Sequence, residues 1–116
     1  MNQDPGGLMA ALEHFAARVN GDARLRKMIA DWERTIALEG SDGAGGGLRV
    51  SGGRVEVVDL PAEPDIRLRA ASDILEGMFR GELSPTEPYV DGSLQVQGSQ
   101  EDVLRLDFLS LMIWGE

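Results

Sequence analysis

Few side chains in this sequence are of types suited to catalysis or metal binding. The single histidine is His14, and the chain has no cysteine, so neither a Cys/His metal site nor a thiolate nucleophile is available. His14 lies roughly 200° around a predicted helix from Leu12, away from its apolar stripe, which indicates an exposed residue. No serine stands in a Gly-x-Ser-x-Gly elbow, and no base is in place for a triad. We therefore expect no catalytic site, no metal and no cofactor.

Carboxylates are the remaining reactive groups, and most of them fall in predicted turns or on polar faces. A carboxylic acid that acts as an acid or base requires apolar surroundings. Asp107, which lies within a strongly apolar stretch at residues 103–114, fits that requirement best. An enzyme that uses Asp107 or Glu76 as a base is the catalytic alternative, but a position on a helix surface is the favoured interpretation of Asp107.

The glycine-rich stretch Gly40–Gly47 resembles a phosphate-binding loop only superficially. A Walker loop requires Lys-Ser or Lys-Thr at its end, where this chain has Leu48 and Arg49. A dinucleotide-binding loop leads into a helix, whereas the alternation of Leu48 and Val50 predicts a strand. We interpret the stretch as a flexible hairpin connection.

Length and charge narrow the function classes further. With 116 residues, 42% of them hydrophobic, the chain is expected to form one domain over residues 1–116. Its net charge of −9 argues against nucleic-acid binding and against strong binding to anionic membranes. The first residues lack a signal-peptide pattern and no apolar run reaches roughly 18 residues, so a cytoplasmic protein is expected.

The spacing of apolar residues divides the chain into helices and strands. Helices are predicted within residues 1–31, the first beginning at Asp4-Pro5 and the second capped by Asp22. Alternation predicts five strands, containing Ile36 and Leu38, Leu48 and Val50, Val55 and Val57, Ile66 to Ala70, and Leu94 and Val96. Ser51-Gly52-Gly53 predicts a tight turn between the second and third strands. The fold class is therefore α+β, with a five-stranded, largely antiparallel sheet covered on one face by helices.

Two further helices are predicted in the second half of the chain. Ser72 is expected to cap a helix that ends at Gly81, and Ser99 with Asp102 to begin the last helix in a capping-box arrangement. Residues 103–114 of that helix are apolar on nearly every side, so we expect the side turned away from the sheet to contact a ligand or a second subunit.

The order of these elements and one stretch of sequence resemble the sterol carrier protein-2 family. In that family a strand leads into a helix ending at a Gly-x-Leu-x-Pro turn, and a Gly-x-Leu-x-Val-x-Gly strand and a closing helix follow. Here the turn reads Gly81-Glu82-Leu83-Ser84-Pro85 and the strand reads Gly92-Ser93-Leu94-Gln95-Val96-Gln97-Gly98. The resemblance covers residues 32–114 in order and type of element, and residues 81–98 carry its specific part.

The resemblance implies a twisted sheet with an apolar tunnel between sheet and helices that holds a fatty acyl chain, an acyl-CoA or a sterol-like lipid. Carried over to this chain, it implies a ligand-binding lining of Leu75, Met78, Phe79, Leu83, Tyr89, Leu106, Leu109, Met112 and Ile113. Transfer members of the family carry lysines at places occupied here by Glu82, Ser93 and Gln95, which implies weak docking on membranes.

Three functions remain open from the sequence. The first, which we favour, is non-catalytic binding of a lipid or another apolar molecule for carrying or presentation. The second is a protein interaction or homodimerisation module that uses the apolar last helix. The third is the enzyme with Asp107 or Glu76 as its base.

Overall fold

The computed structural model describes the backbone of residues 7–114 and the side chains of residues 7–109. The predicted helix start at Asp4-Pro5 lies outside these residues. Helices and strands follow one another in the order α1 (Leu8–Asn20), α2 (Ala23–Met28), β1 (Arg34–Gly40), β2 (Gly45–Ser51), β3 (Arg54–Val58), β4 (Ile66–Ala70), α3 (Ser72–Arg80), α4 (Thr86–Asp91), β5 (Gln95–Gln97) and α5 (Gln100–Trp114). The α+β class and the five strands predicted from the sequence are confirmed.

The strands form one mixed sheet in the order β3-β2-β1-β4-β5. Three of the neighbouring pairs, β1–β2, β2–β3 and β4–β5, are antiparallel, and β1 and β4 are parallel. The parallel pair arises because the connection at residues 59–65 carries the chain past β2 and places β4 beside β1. The sheet is thus largely antiparallel, as predicted.

The two faces of the sheet differ in polarity, as the alternation of residues predicts. One face carries the buried side chains Ile36, Leu38, Leu48, Val50, Val55, Ile66 and Leu68. Helices α1 and α3 cover this inner face and meet in an edge-on contact between Phe15 and Phe79, whose ring centroids lie 5.0 Å apart. On the outer face, Arg67 and Arg69 both pair with Glu39, at 3.3 and 2.7 Å.

The glycine-rich segment differs from its prediction as a flexible connection over residues 40–47. The turn occupies residues 41–44, and Gly45 to Gly47 belong to β2. A β-carbon on Gly46 would lie 2.7 Å from Sδ of Met9 and 3.0 Å from Cδ1 of Leu12. A β-carbon on Gly47, on the opposite face, would lie 2.6 Å from Cδ of Pro61. The strand forms by pairing with β1, and glycine occupies positions 46 and 47 because α1 and the β3–β4 connection approach the sheet closely there.

Turns and helix ends agree with the sequence in most places. Gly52 and Gly53 both have positive φ, as a two-residue hairpin turn requires, and Gly81 ends α3 in a left-handed conformation at φ 80°. The Asp22 carboxylate accepts the backbone N–H of Arg24 and caps α2. The predicted cap at Ser72 is wrong. Ala71 occupies the N-cap position, and the Ser72 hydroxyl donates instead to the Asp42 carboxylate in the β1–β2 turn.

Candidate functional site

An apolar groove of about 360 Å³ lies between the β4–β5 edge of the sheet and the last helices. Its lining comes from β4, α3, the α4 segment, β5 and α5, and consists of Leu68, Met78, Pro85, Thr86, Tyr89, Leu94, Val96, Val103, Leu104, Leu106 and Asp107. All of these except Thr86, Tyr89 and Asp107 have wholly apolar side chains. The volume falls at the lower end of the range for small-molecule sites, ~300–1,000 Å³.

The floor of the groove is a continuation of the inner sheet face. Leu68 of β4 pairs with Val96 of β5, so their side chains lie on the same face. Leu94 and Val96 line the groove, whereas Gln95 and Gln97 point to the outer face beside Arg67. The period-two alternation of this short strand is therefore what gives the groove an apolar floor.

The rim of the groove is open to solvent. Tyr89 on α4 is 58% exposed and Leu104 on α5 is 54% exposed, although both line the groove. Met78 and Leu94, at its inner end, are buried. The site is thus a cleft with an apolar interior and an accessible mouth, which suits a ligand with an apolar body and one end in water.

The residues predicted to line a lipid site are divided between the groove and the core. Met78, Tyr89 and Leu106 line the groove. Leu75, Phe79 and Leu109 are buried in the main core cluster, against which the half-buried Leu83 packs. The side chains of Met112 and Ile113 lie outside the described residues.

Several groove residues were missing from the sequence prediction. Leu68, Leu94 and Val96 were recognised as inward-facing strand residues but not as lining, and Val103 and Leu104 as parts of an apolar helix. The pairing of Leu68 with Val96 is a tertiary feature that the alternation alone does not reveal. The motif Gly-x-Leu-x-Val-x-Gly was nevertheless a usable signal, because it contains both Leu94 and Val96.

One wall of the groove, α5, is anchored at its beginning by a buried carboxylate. The Asp102 Oδ1 accepts the indole N–H of Trp32 at 2.9 Å, and its Oδ2 accepts Nε–H of Arg34 at 2.9 Å. The backbone N–H of Asp102 donates to the Ser99 hydroxyl, which confirms the predicted start of the helix. Burial raises the pKa of Asp102, but hydrogen bonds from Trp32, Arg34 and Ser99 more than offset it, so the pKa lies below its ordinary value.

Arg105 adds a second connection one turn further along α5. Its guanidinium lies 5.7 Å from the centre of the Trp32 ring and donates to the carbonyl of Met28 at 3.1 Å and to Asp31 at 2.9 Å. The hydrogen bond from Arg105 lowers the pKa of Asp31. Because Asp102 and Arg105 fix the first turns of α5 against the α2–β1 connection, Val103 and Leu106 are held in place along the groove.

The groove offers binding contacts and few reactive groups. Asp107 is an exposed carboxylate at its edge, and Glu76 lies outside it, 3.9 Å from Arg80. Among the described residues, no cluster of three or more His, Cys, Asp or Glu side chains could hold a metal ion. No helix within residues 7–114 combines the length and the apolar character needed to span a membrane.

The fold is similar to those of several solved sterol carrier proteins. The sterol carrier protein domain 2 of Helicoverpa armigera superposes with a TM-score of 0.74 at 16% identity, over 99% of this chain and 94% of that one. Palmitated SCP2L2 from Aedes aegypti gives 0.66 at 13% identity, over 90% and 94%. The ubiquinone synthesis protein UbiJ-SCP2 gives 0.67 at 18% identity, over 88% and 94%.

Sequence comparison gives the family directly. No curated protein matches the chain by sequence. The profile of the SCP-2 sterol transfer family, however, matches residues 12–109, which include every strand and all but the end of the last helix. This chain therefore belongs to the SCP-2 sterol transfer family.

Proposed function

We propose that the protein binds one lipid or similar apolar molecule in the groove and carries or presents it without changing it chemically. The observation that carries this proposal is the groove itself, whose floor and walls are apolar and whose mouth opens to solvent. Membership of a sterol transfer family supports it, as does the palmitated state of the similar Aedes aegypti protein.

The energetics of such a site require no catalytic or ionic group. Each buried methylene contributes about 0.8 kcal/mol, which corresponds to about a fourfold gain in affinity. A linear chain should therefore bind more tightly by this factor with each added methylene until the groove is full. Beyond that length, further methylenes remain in water and add little.

The residues predicted from the sequence take two roles in this proposal. Met78, Tyr89 and Leu106 contact the ligand, together with Leu68 and Val96 on the floor. Leu75, Phe79, Leu83 and Leu109 support the walls from the core side. For Met112 and Ile113, whose side chains lie outside the described residues, a lining role stays a prediction from the sequence.

A chain-length series tests the proposal. Primary alcohols from eight to sixteen carbons would compete with an uncharged fluorescent probe, N-phenyl-1-naphthylamine, for the purified protein. We expect affinity to rise about fourfold per methylene and then to level off. If none of the alcohols shows saturable binding, the proposal is contradicted.

Two substitutions on one strand locate the site. Val96→Trp places an indole in the groove, whereas Gln95→Trp places the same group on the outer face. We expect Val96→Trp to weaken the binding of the longer alcohols at least tenfold and Gln95→Trp to leave it unchanged. If both substitutions weaken binding equally, or if neither weakens it, the ligand lies elsewhere.

Homodimerisation is the second candidate, favoured by two exposed side chains on α5. Leu104 and Phe108, four residues apart on one side of the helix, are 54% and 64% exposed. If they form a subunit contact, the protein should sediment as a dimer, and Phe108→Glu should convert it to a monomer that still binds alcohols. A monomeric wild type at high concentration would eliminate this candidate.

A further inference from the structure

The groove is built largely from a part of the chain that is poor in positive charge. From Gly81 onward, the acidic residues are Glu82, Glu87, Asp91, Glu101, Asp102, Asp107 and Glu116, and the one basic residue is Arg105. Arg105 is committed to Asp31, the Met28 carbonyl and the Trp32 ring, away from the groove. Among the described residues of this part of the chain, Asp107 is the one charged side chain that lines the groove.

Within residues 7–80, no cationic side chain lines the groove either. Arg67 and Arg69 lie on the outer sheet face with Glu39, and Arg80 is engaged with Glu76 and the Gly7 carbonyl. The polar groups that do line it are the Thr86 and Tyr89 hydroxyls and the Asp107 carboxylate. A ligand head group at the mouth thus meets hydroxyls and a negative charge.

We propose that the groove selects amphiphiles with an uncharged, hydroxyl-bearing head over those with a carboxylate or phosphate head, and that Asp107 determines this selectivity. The inference rests on the proposed function, since it concerns the head group of the molecule held in the groove. A hydroxyl head donates a hydrogen bond to the Asp107 carboxylate and accepts one from Thr86 or Tyr89. A carboxylate head has no proton to donate and is repelled by Asp107.

The expected size of the effect follows from the exposure of Asp107. Two unit charges 4 Å apart in water repel each other by about 1 kcal/mol, which is about a fivefold difference in affinity. Salt screens exposed charges, so the difference should shrink as ionic strength rises from about 0.01 to 1 M. The apolar part of the ligand contributes equally to both affinities when chain lengths match.

The test compares two ligands of equal chain length, 1-dodecanol and dodecanoate, each below its aggregation concentration, on three proteins. Because a carboxylate is harder to desolvate in any apolar site, the informative quantity is how the affinity ratio changes on substitution. We expect Asp107→Asn to raise the affinity for dodecanoate about fivefold at low salt. Its affinity for dodecanol should stay within twofold of that of the wild type. Glu101→Gln removes an exposed charge from the same helix outside the groove lining and should change neither affinity.

The possible outcomes separate this inference from the function on which it rests. Binding of dodecanol with an unchanged affinity ratio in Asp107→Asn would overturn the inference and leave the proposed function intact. Tighter binding of dodecanoate than of dodecanol by the wild type would do the same. Binding of neither ligand by any of the three proteins would overturn both.

Discussion

The buried carboxylate of Asp102 is the point at which α5 is fixed to the rest of the fold. Within residues 7–109 it is the one charged side chain that is buried, at 5% exposure. Its two oxygens accept hydrogen bonds from Trp32 and Arg34, each at 2.9 Å. Replacing Asp102 with alanine removes both acceptors and leaves both donors in place.

The cost of this replacement has two parts. Trp32 is 3% exposed, so its indole N–H would lose its partner in a buried position, at about 2 kcal/mol. The Arg34 side chain is 35% exposed and regains water, so the loss of its ion pair costs about 1 kcal/mol. We expect a total of about 3 kcal/mol, and a fall in Tm of about 12 °C at ~4 °C per kcal/mol.

A double-mutant cycle isolates the indole contribution. Unfolding by urea would be followed by circular dichroism for the wild type, Asp102→Ala, Trp32→Phe and the double variant. Phenylalanine has no N–H to leave unpaired, so Asp102→Ala should cost about 1 kcal/mol in the Trp32→Phe background and about 3 kcal/mol in the wild type. Glu101→Ala, one residue earlier and exposed, serves as the control and should stay within ~0.5 kcal/mol.

The reasoning would be refuted by additivity. If the stability losses of Asp102→Ala and Trp32→Phe add to within ~0.5 kcal/mol in the double variant, the two side chains are not coupled. The carboxylate then does not stabilise the fold by accepting the indole N–H. A cost below about 1 kcal/mol for Asp102→Ala alone would also show that α5 is held by its apolar contacts and not by this anchor.

Two further predictions concern Asp102 and Gly47. Because the pKa of Asp102 is lower in the folded than in the unfolded chain, its contribution is complete above about pH 4 and is lost as the pH falls through the folded value. Asp102→Asn should therefore flatten the acid side of a stability–pH profile measured by urea unfolding, and an unchanged slope would contradict this. Gly47→Ala should cost about 1–3 kcal/mol, because its β-carbon would meet Cδ of Pro61 at 2.6 Å and the Asp59 carbonyl at 2.8 Å. Gly45→Ala, where the nearest contact is 3.4 Å, is the matched control and should be nearly neutral in thermal unfolding; equal costs would refute the argument.

The parts of the fold that the sequence predicted are those governed by local periodicity. Alternation within a strand fixes which side chains share a face, so Ile36, Leu38, Ile66 and Leu68 were recognised as inward-facing. The helix end at Gly81 was also predictable from local sequence, because the residue that ends such a helix adopts a left-handed conformation, which favours glycine.

Features that depend on distant neighbours were not predictable. Gly45 to Gly47 are in a strand because they pair with β1, and Gly46 and Gly47 lack side chains where α1 and Pro61 approach the sheet, which no local pattern encodes. The two partners of Asp102, Trp32 and Arg34, stand 70 and 68 residues away, and no local pattern in the sequence points to either. Met78 and Phe79 are adjacent and both buried in the core cluster, but only Met78 also lines the groove, a difference that the sequence pattern does not reveal.

The all-round apolar character of α5 has a geometric explanation in the groove. At about 100° per residue, Arg105, Asp102, Leu106 and Leu109 fall on one side of the helix, Val103 and Asp107 on a second, and Leu104 and Phe108 on a third. The first side is held by the anchor and by the core, where Leu109 is 1% exposed. The second side faces the groove, and Leu106 and Leu104 border it from the two neighbouring sides. A helix between a core and a ligand site requires apolar residues on both of these sides, which leaves Phe108, at 64% exposure, as the residue that only a partner chain or an extended ligand would cover.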